Sequence, residues 1–286
     1  MLVHPGFDPV AISLGPLQVH WYGLSYLAGF LLFWMISVRR AQTLPHVAIQ
    51  GWNKDVVSDL IFYGVLGVII GGRIGYVLFY SFDRFVADPL YLVQVWKGGM
   101  SFHGGLLGVM GAMLLFANKM QMRWWQVMDF VAVATPVGLL TGRLGNFINA
   151  ELWGRTTEVP WGMVFPGAGP DPRHPSQLYE AALEGAVMLM VLLWFARKPR
   201  PVRAASGLFL LLYGIFRTVV EFFRTPDEHI GFIAFDWVTV GMLLCVPMWA
   251  GGLAILYWAY ALNESPATPD VAAPAAAQKR KTRKKK

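Results

Sequence analysis

Seven stretches of this chain are apolar for about twenty residues each, at roughly 20–38, 57–80, 99–118, 125–145, 178–196, 206–223 and 235–260. A helix of that length rises about 30 Å at 1.5 Å per residue, the hydrocarbon thickness of a bilayer. A segment inside hydrocarbon must close its backbone hydrogen bonds internally, which favours helices. Only 14% of the residues are charged, whereas a soluble domain carries about a quarter. The expected fold class is therefore an all-α polytopic membrane protein with seven transmembrane helices and a small periplasmic head. The first stretch is expected to stay in the mature chain, because no basic segment precedes it and Arg39-Arg40 lies at its far end.

The net charge of +7 sits in one place. Lys279, Arg280, Lys281, Arg283, Lys284, Lys285 and Lys286 account for it, and the other 17 Lys and Arg balance 17 Asp and Glu. Such an Ala/Pro-rich basic end reads as a disordered cytoplasmic tail, residues 263–286, resting on anionic membrane lipid. A nucleic-acid arm is the alternative; no nucleic-acid partner is expected.

Orientation follows from where Lys and Arg collect in the short loops. Arg39, Arg40, Lys54, Lys119, Arg123, Arg197, Lys198, Arg200, Arg203 and the seven tail residues make sixteen of 24 on one side, which is cytoplasmic. Seven spans then put the N-terminal segment 1–19 in the periplasm, the transmembrane domain over 20–262 and the C-terminus inside. The longest loop, about 146–177, faces outward; rich in Gly, Pro and Trp, it reads as a cap of turns and short strands. A weak internal echo is also present: Asp59 and Arg73 are spaced like Asp129 and Arg143, and both arginines lie in Gly-Arg-x-Gly. Partial duplication and coincidence both account for it.

Ionisable side chains within spans are costly and normally face a bundle interior, a partner or water. Here they are Arg73, His103, Arg143, Glu180, Arg217 and Glu221. Arg143 opens a run, Thr141 to Arg155, that mixes glycines with Asn146, Asn149 and Glu151; it suits orienting a lipid headgroup, or a helix end snorkelling its Arg. His103-Gly104-Gly105 starts the third span with a general-base candidate and bare amides, or with an ordinary interfacial histidine. Arg217, Glu221 and Arg224 fall at i, i+4 and i+7 on one helix face, as an intrahelical ion pair or, given the surplus Arg, an anion site. Tyr26 and the stretch Arg173 to Glu180 add polar groups at the same expected depth.

No phosphate-binding Gly-x-x-x-x-Gly-Lys, no Gly-x-Ser-x-Gly and no His pair at metal spacing occurs, so neither cofactor nor metal is implied. Cys245, the single cysteine, lies in an apolar run and is a poor nucleophile candidate.

The run Gly142-Arg143-Leu144-Gly145-Asn146-Phe147-Ile148-Asn149-Ala150-Glu151-Leu152-Trp153-Gly154 resembles the signature of the bacterial prolipoprotein diacylglyceryl transferase family. His103 to Gly108 and Tyr213-Gly214 through Arg217, Glu221 and Arg224 resemble two further motifs of that family, in its order. The resemblance covers about residues 8–262. It implies transfer of the diacylglyceryl group of phosphatidylglycerol to the lipobox cysteine of a preprolipoprotein signal peptide, with release of glycerol phosphate, in the bacterial inner membrane. It also implies that Arg143 and Arg217 are the phosphate-side residues, with His103, Tyr26, Asn146, Glu151, Gly154 and Glu221 lining the same site, beside Gly104 and Arg224.

That chemistry needs a thiolate, and a thiol of pKa about 8.5 is mostly protonated at neutral pH. His103 is the expected base. Two arginines are expected to grip the leaving phosphate, with Glu221 and Glu151 holding them and Asn146 and Tyr26 hydrogen-bonding the substrate. The rival from another class is a transporter or lipid translocase, which would show mid-bilayer charges and a clear repeat. A structural membrane scaffold is the third reading.

Overall fold

The structure, a computed structural model, describes residues 2–15, 17–225, 231–235 and 237–266. The basic residues expected as a cytoplasmic tail lie outside them. In chain order the elements are β1 (Leu2–Val3), β2 (Val10–Leu14), β3 (Leu17–His20), α1 (Trp21–Thr43), α2 (Pro45–Ala48), α3 (Lys54–Tyr80), α4 (Phe82–Ala87), α5 (Phe102–Met120), α6 (Trp124–Ala134) and α7 (Pro136–Ile148). They continue with β4 (Met163–Val164), α8 (Ser176–Glu180), a π-helical turn over Ala181–Val187, α9 (Met188–Phe195), α10 (Ala204–Glu221), β5 (Phe232–Ala234), β6 (Val238–Thr239) and α11 (Val240–Leu262).

A helix occupies each of the seven apolar stretches. Five are long and apolar enough to cross a membrane, namely α1, α3, the continuous run Ser176–Phe195, α10 and α11; α6 and α7 make a sixth if the pair is one span. The pair is bent by 42°, at Pro136, which cannot donate a backbone N–H to the preceding turn. The helix at the third stretch, α5, does not reach that standard, because four glycines, His103, Asn118 and Lys119 dilute it. The last long helix starts at Val240, not 235, since β5 and β6 form an antiparallel pair just before it and Thr239 caps it by accepting from Met242 N. Large apolar side chains such as Leu27, Phe62, Leu115, Leu244 and Leu253 stand exposed along the helices, as surfaces facing lipid do.

The chain forms two compact units, one of Met1–Arg39 with Met128–Ser265 and one built on Arg40–Val127. The second is organised by α3 against α5. Asn53 caps α3 by accepting from Asp55 N and Val56 N, and Ser101 caps α5 by accepting from Gly104 N. Glycines let the two backbones touch: a Cβ on Gly67 would come 2.7 Å from Gly108 O, and one on Gly75 2.7 Å from Gly104 Cα. Trp52, Tyr63 and Phe116 close the other end with stacked and edge-on rings.

In the first unit α10 packs on α11 in the same way, Gly214 lying against Trp249 N and Gly252 against Leu211. Val133, Met188, Leu192, Ala196 and Ala205 form the apolar core between α6, α9 and α10. Asp129 replaces the missing start of α10, accepting from Arg203 N at 2.6 Å and Ser206 N at 2.8 Å. The segment after α7 is held as short extended pieces: β1 pairs in parallel with β4, Gly154 bridges Arg224, and Arg173 bridges Thr156 and Met163. The two echoed Asp/Arg pairs have unlike surroundings. Asp59 pairs with exposed Lys119, whereas Asp129 caps a helix; Arg73 bonds carbonyls, whereas Arg143 bonds a carboxylate.

Candidate functional site

Three helices and the segment after α7 build a polar cluster inside the first unit. Its centre is Glu180, the last residue of α8, whose side chain is 0% exposed. Glu180 Oε2 forms an ion pair with Arg143 Nε of α7 at 2.8 Å. Its other oxygen, Oε1, takes Arg224 Nη1 at 2.6 Å and stands 3.6 Å from Arg217 Nη1. Glu221, one turn from Arg217 on α10, pairs with Arg217 Nη2 at 2.8 Å and lies 3.6 Å from Arg224 Nε. The shared face expected for Arg217, Glu221 and Arg224 is therefore present, and it closes on a carboxylate from another helix.

Glu221 is fixed in turn from α11. Thr239, while capping that helix, donates its hydroxyl to Glu221 Oε1 at 2.9 Å. The C-terminal carbonyls of the Arg217 segment are also occupied: Arg155 donates to Arg224 O at 2.6 Å and to Glu221 O at 3.3 Å. Burial lowers the pKa of Arg155, against the pull of Glu221. Three guanidiniums against two directly paired carboxylates leave one positive charge in the ion-paired set. Glu184, one turn beyond Glu180 on the π-helical turn, is also fully buried and belongs to none of these pairs.

Asn146 continues the network. It accepts weakly from Arg143 Nη1 at 3.4 Å and donates through Nδ2 to Glu151 Oε1 at 2.7 Å. The expectation that Glu151 holds an arginine is corrected here: Glu151 holds Asn146, and the carboxylate of Arg143 is Glu180. The physical reason is reach. Glu151 lies past the end of α7, where Ala150 and Leu152 take positive φ and the chain turns away, while α8 runs alongside α7 and brings Glu180 level with Arg143. Gln177, also fully buried, donates to Glu151 O and ties the two segments.

Tyr26 is half exposed on α1 and hydrogen-bonds the hydroxyl of Tyr22 at 3.0 Å. The helix that carries it meets α7 closely, Gly145 lying against Ser25. Gly154 is a packing point: its N–H donates to His174 O at 2.9 Å, and a Cβ there would come 2.8 Å from that same oxygen. His174 Nδ1 meets the Tyr179 hydroxyl at 3.1 Å, which also accepts from Trp161 Nε1. Burial first, then the charge of Arg155, lower the His174 pKa below its ordinary 6.5.

His103 and Gly104 belong to the other unit, at the first turn of α5. The His103 ring is exposed and touches Phe102 edge-on at 5.6 Å. Gly104 is occupied by packing, its backbone pressed against Gly71 and Gly75 of α3. Among the described residues no three His, Cys, Asp or Glu side chains gather as metal ligands.

Arginines from two helices thus converge on one buried carboxylate. The model of the family described as prolipoprotein diacylglyceryl transferase matches residues 9–258. The chain belongs to that family. It is 56% identical over 264 residues to the phosphatidylglycerol–prolipoprotein diacylglyceryl transferase of Coxiella burnetii, covering 92% of this chain and 100% of the relative. The enzyme of the same description from Pseudomonas paraeruginosa is 54% identical over 260 residues, 91% of this chain and 96% of the relative. Within the family motifs, the sequence places Arg143, Arg217, Glu221 and Arg224 in one expected site, and the structure brings these side chains together around Glu180 and Glu221. The sequence names Glu180 without its role, which the buried position of an acid in a span already signals.

Proposed function

We propose that this chain transfers the diacylglyceryl group of phosphatidylglycerol to the thiol of the lipobox cysteine of a preprolipoprotein, releasing glycerol 1-phosphate, as the first step of lipoprotein maturation. The observation that carries this reading is the Glu180-centred arginine cluster in a chain whose family and relatives are named for that transfer. In the reaction the S–H proton passes to a base and a C–S bond forms at the glycerol carbon. That carbon's bond to the phosphate oxygen breaks, and the electron pair stays on the phosphate.

The developing charge requires cations already in place, because reorienting them during the reaction would cost most of their benefit. Arg143 and Arg217 meet that need. Their carboxylate partners fix both, and Arg217 Nη1 is buried with no hydrogen-bond partner among the described residues, so a phosphate oxygen can take it. Arg224 helps fix Glu180 and Glu221. Asn146 and Tyr26 present polar groups toward the glycerol part, and His103 is the base for the thiol. Gly104 lets α5 seat against α3, and Gly154 seats the segment that carries Arg155.

Both substrates are amphiphiles, so they enter laterally from the bilayer. We place the site toward the periplasmic side of a bacterial inner membrane, the N-terminus outside and the C-terminus inside, with the 146–177 segment as the head. The glycine-to-glycine packing of α5 along α3 supports counting α5 as the seventh span.

The test is release of glycerol phosphate by the purified full-length protein in detergent, with phosphatidylglycerol and a lipobox peptide. Release should require the peptide cysteine and fall by about a hundredfold or more in Arg143→Ala, the order of loss expected for a preorganised charge. Release that ignores the cysteine, or survives Arg143→Ala, would refute the reading.

A further inference from the structure

Arg73 is a buried charge that the transfer chemistry above leaves unused. It stands near the end of α3, 2% exposed, and its partners are carbonyls. Nε donates to Leu92 O at 3.1 Å, Nη1 to Gly98 O and to Gly99 O at 3.3 Å, and Nη2 to Tyr91 O. The guanidinium also lies 4.5 Å from the centre of the Tyr91 ring. A buried guanidinium persists only where its donors are satisfied, and here the connection between α3 and α5, residues 81–101, satisfies it. Gly98 and Gly99 have φ of 75° and 81°, a region open to glycine at little cost, and this turns both carbonyls back onto Arg73.

The gathered segment ends at Gly99, four residues before His103. Ser101 N then bonds Gly72 O, next to Arg73, at 2.9 Å, and Ser101 Oγ caps Gly104 N at 3.2 Å. His103 itself makes no hydrogen bond among the described residues, its one ring contact being Phe102. Its position is therefore set by the backbone that carries it, which is held by Ser101 N on Gly72 O, by Gly104 against α3, and on its N-terminal side by the turn that Arg73 gathers.

We propose that Arg73 is a positioning residue for the transfer reaction: by holding the carbonyls of Tyr91, Leu92, Gly98 and Gly99 it fixes the start of α5 and so the place of the His103 imidazole. The proposal rests on the reading of His103 as the base. Lysine at this position reaches one or two of the four carbonyls, and glutamine cannot hold the set.

The experiment measures glycerol phosphate release by full-length Arg73→Gln, Arg73→Lys, His103→Gln and the Arg73→Gln/His103→Gln double variant. Trypsin cleavage after the exposed Lys97 reports independently whether the segment is held. Arg73→Gln should lower kcat about tenfold to a hundredfold, the loss that misplacing a reacting group by about 1 Å produces, with KM for phosphatidylglycerol within about twofold. Arg73→Lys should recover part of the rate, and Lys97 cleavage should quicken in the order wild type, Arg73→Lys, Arg73→Gln. The double variant should be no slower than His103→Gln alone, because Arg73 acts through that ring.

Losses that multiply in the double variant, or a raised KM at unchanged kcat, overturn the positioning role. Normal turnover by His103→Gln removes the base reading and the proposal with it, whatever the trypsin result. If Arg73→Gln does not fold, Arg73→Lys with His103→Gln completes the same cycle.

Discussion

Arg143 on α7 and Glu180 on α8 are joined Nε to Oε2 at 2.8 Å, with the carboxylate wholly buried. Because Glu180 Oε1 also carries Arg224 at 2.6 Å, one side chain registers α7 against the C-terminal end of α10. Under the proposed transfer Arg143 meets a phosphate, and pairing with Glu180 holds its guanidinium in place beforehand.

Glu180→Gln keeps the shape and removes the charge, leaving three guanidiniums with Glu221 alone among these direct pairs. Breaking a buried pair by removing one partner costs about 3–5 kcal/mol. Thermal unfolding in detergent should show the loss, and kcat/KM for glycerol phosphate release should fall at least about tenfold as Arg143 and Arg217 lose their common anchor. A variant with wild-type turnover would show that Arg143 needs no anchor.

The fold class was readable because hydrophobic length is a direct consequence of bilayer thickness, and the Arg217–Glu221 pair was readable because i, i+4 residues share a helix face. The Arg143–Glu180 pair has no such local spacing, and depends on α7 and α8 lying side by side. Glu151 misled for a related reason. Near Asn146 in the chain, it satisfies that amide instead of an arginine, because the chain bends at Ala150 and Leu152. The last helix starts at Val240 rather than 235 because Phe232–Ala234 and Val238–Thr239, though apolar, pair as antiparallel strands, which composition alone does not distinguish.

His174 gives the segment after α7 a pH dependence. Its pKa is lowered by burial and by Arg155, so below the ordinary value of 6.5 the unfolded chain binds more protons than the folded one. Stability therefore rises with pH through this window and is lost as pH falls below about 6.5. Between about pH 7.5 and 5.5 the wild-type Tm should drop further than that of His174→Gln, which has no proton to take up. Equal drops would mean that another group governs acid sensitivity.

Gly154→Ala should damage stability and activity together. The added methyl meets two backbone oxygens, those of His174 and Phe223, and both are already bonded: His174 O accepts from Gly154 N and Phe223 O from Arg155 N, each at 2.9 Å. Backbone must move, at about 1–3 kcal/mol for overpacking of this kind. The displaced strand carries Arg155, which holds the carbonyls of Glu221 and Arg224, so kcat should fall with Tm. A variant with unchanged Tm and abolished turnover would point instead to direct contact of Gly154 with substrate.

Asn146 tests the orientation of the network most sharply, because its amide has a donor end and an acceptor end with different partners. Oδ1 faces Arg143 Nη1 at 3.4 Å, and Nδ2 donates to Glu151 Oε1 at 2.7 Å. In Asn146→Asp the donor end becomes a second carboxylate oxygen against Glu151, and like charges at that separation repel where a hydrogen bond stood. Asn146→Asp should therefore lose more activity than Glu151→Gln, in which the remaining Oε1 still accepts from Asn146. If Glu151→Gln is instead the poorer enzyme, the charge of Glu151 matters in itself, acting on Arg143 across Asn146. The double variant Asn146→Asp/Glu151→Gln distinguishes the two: it restores one donor facing one acceptor, and turnover should recover above that of Asn146→Asp alone.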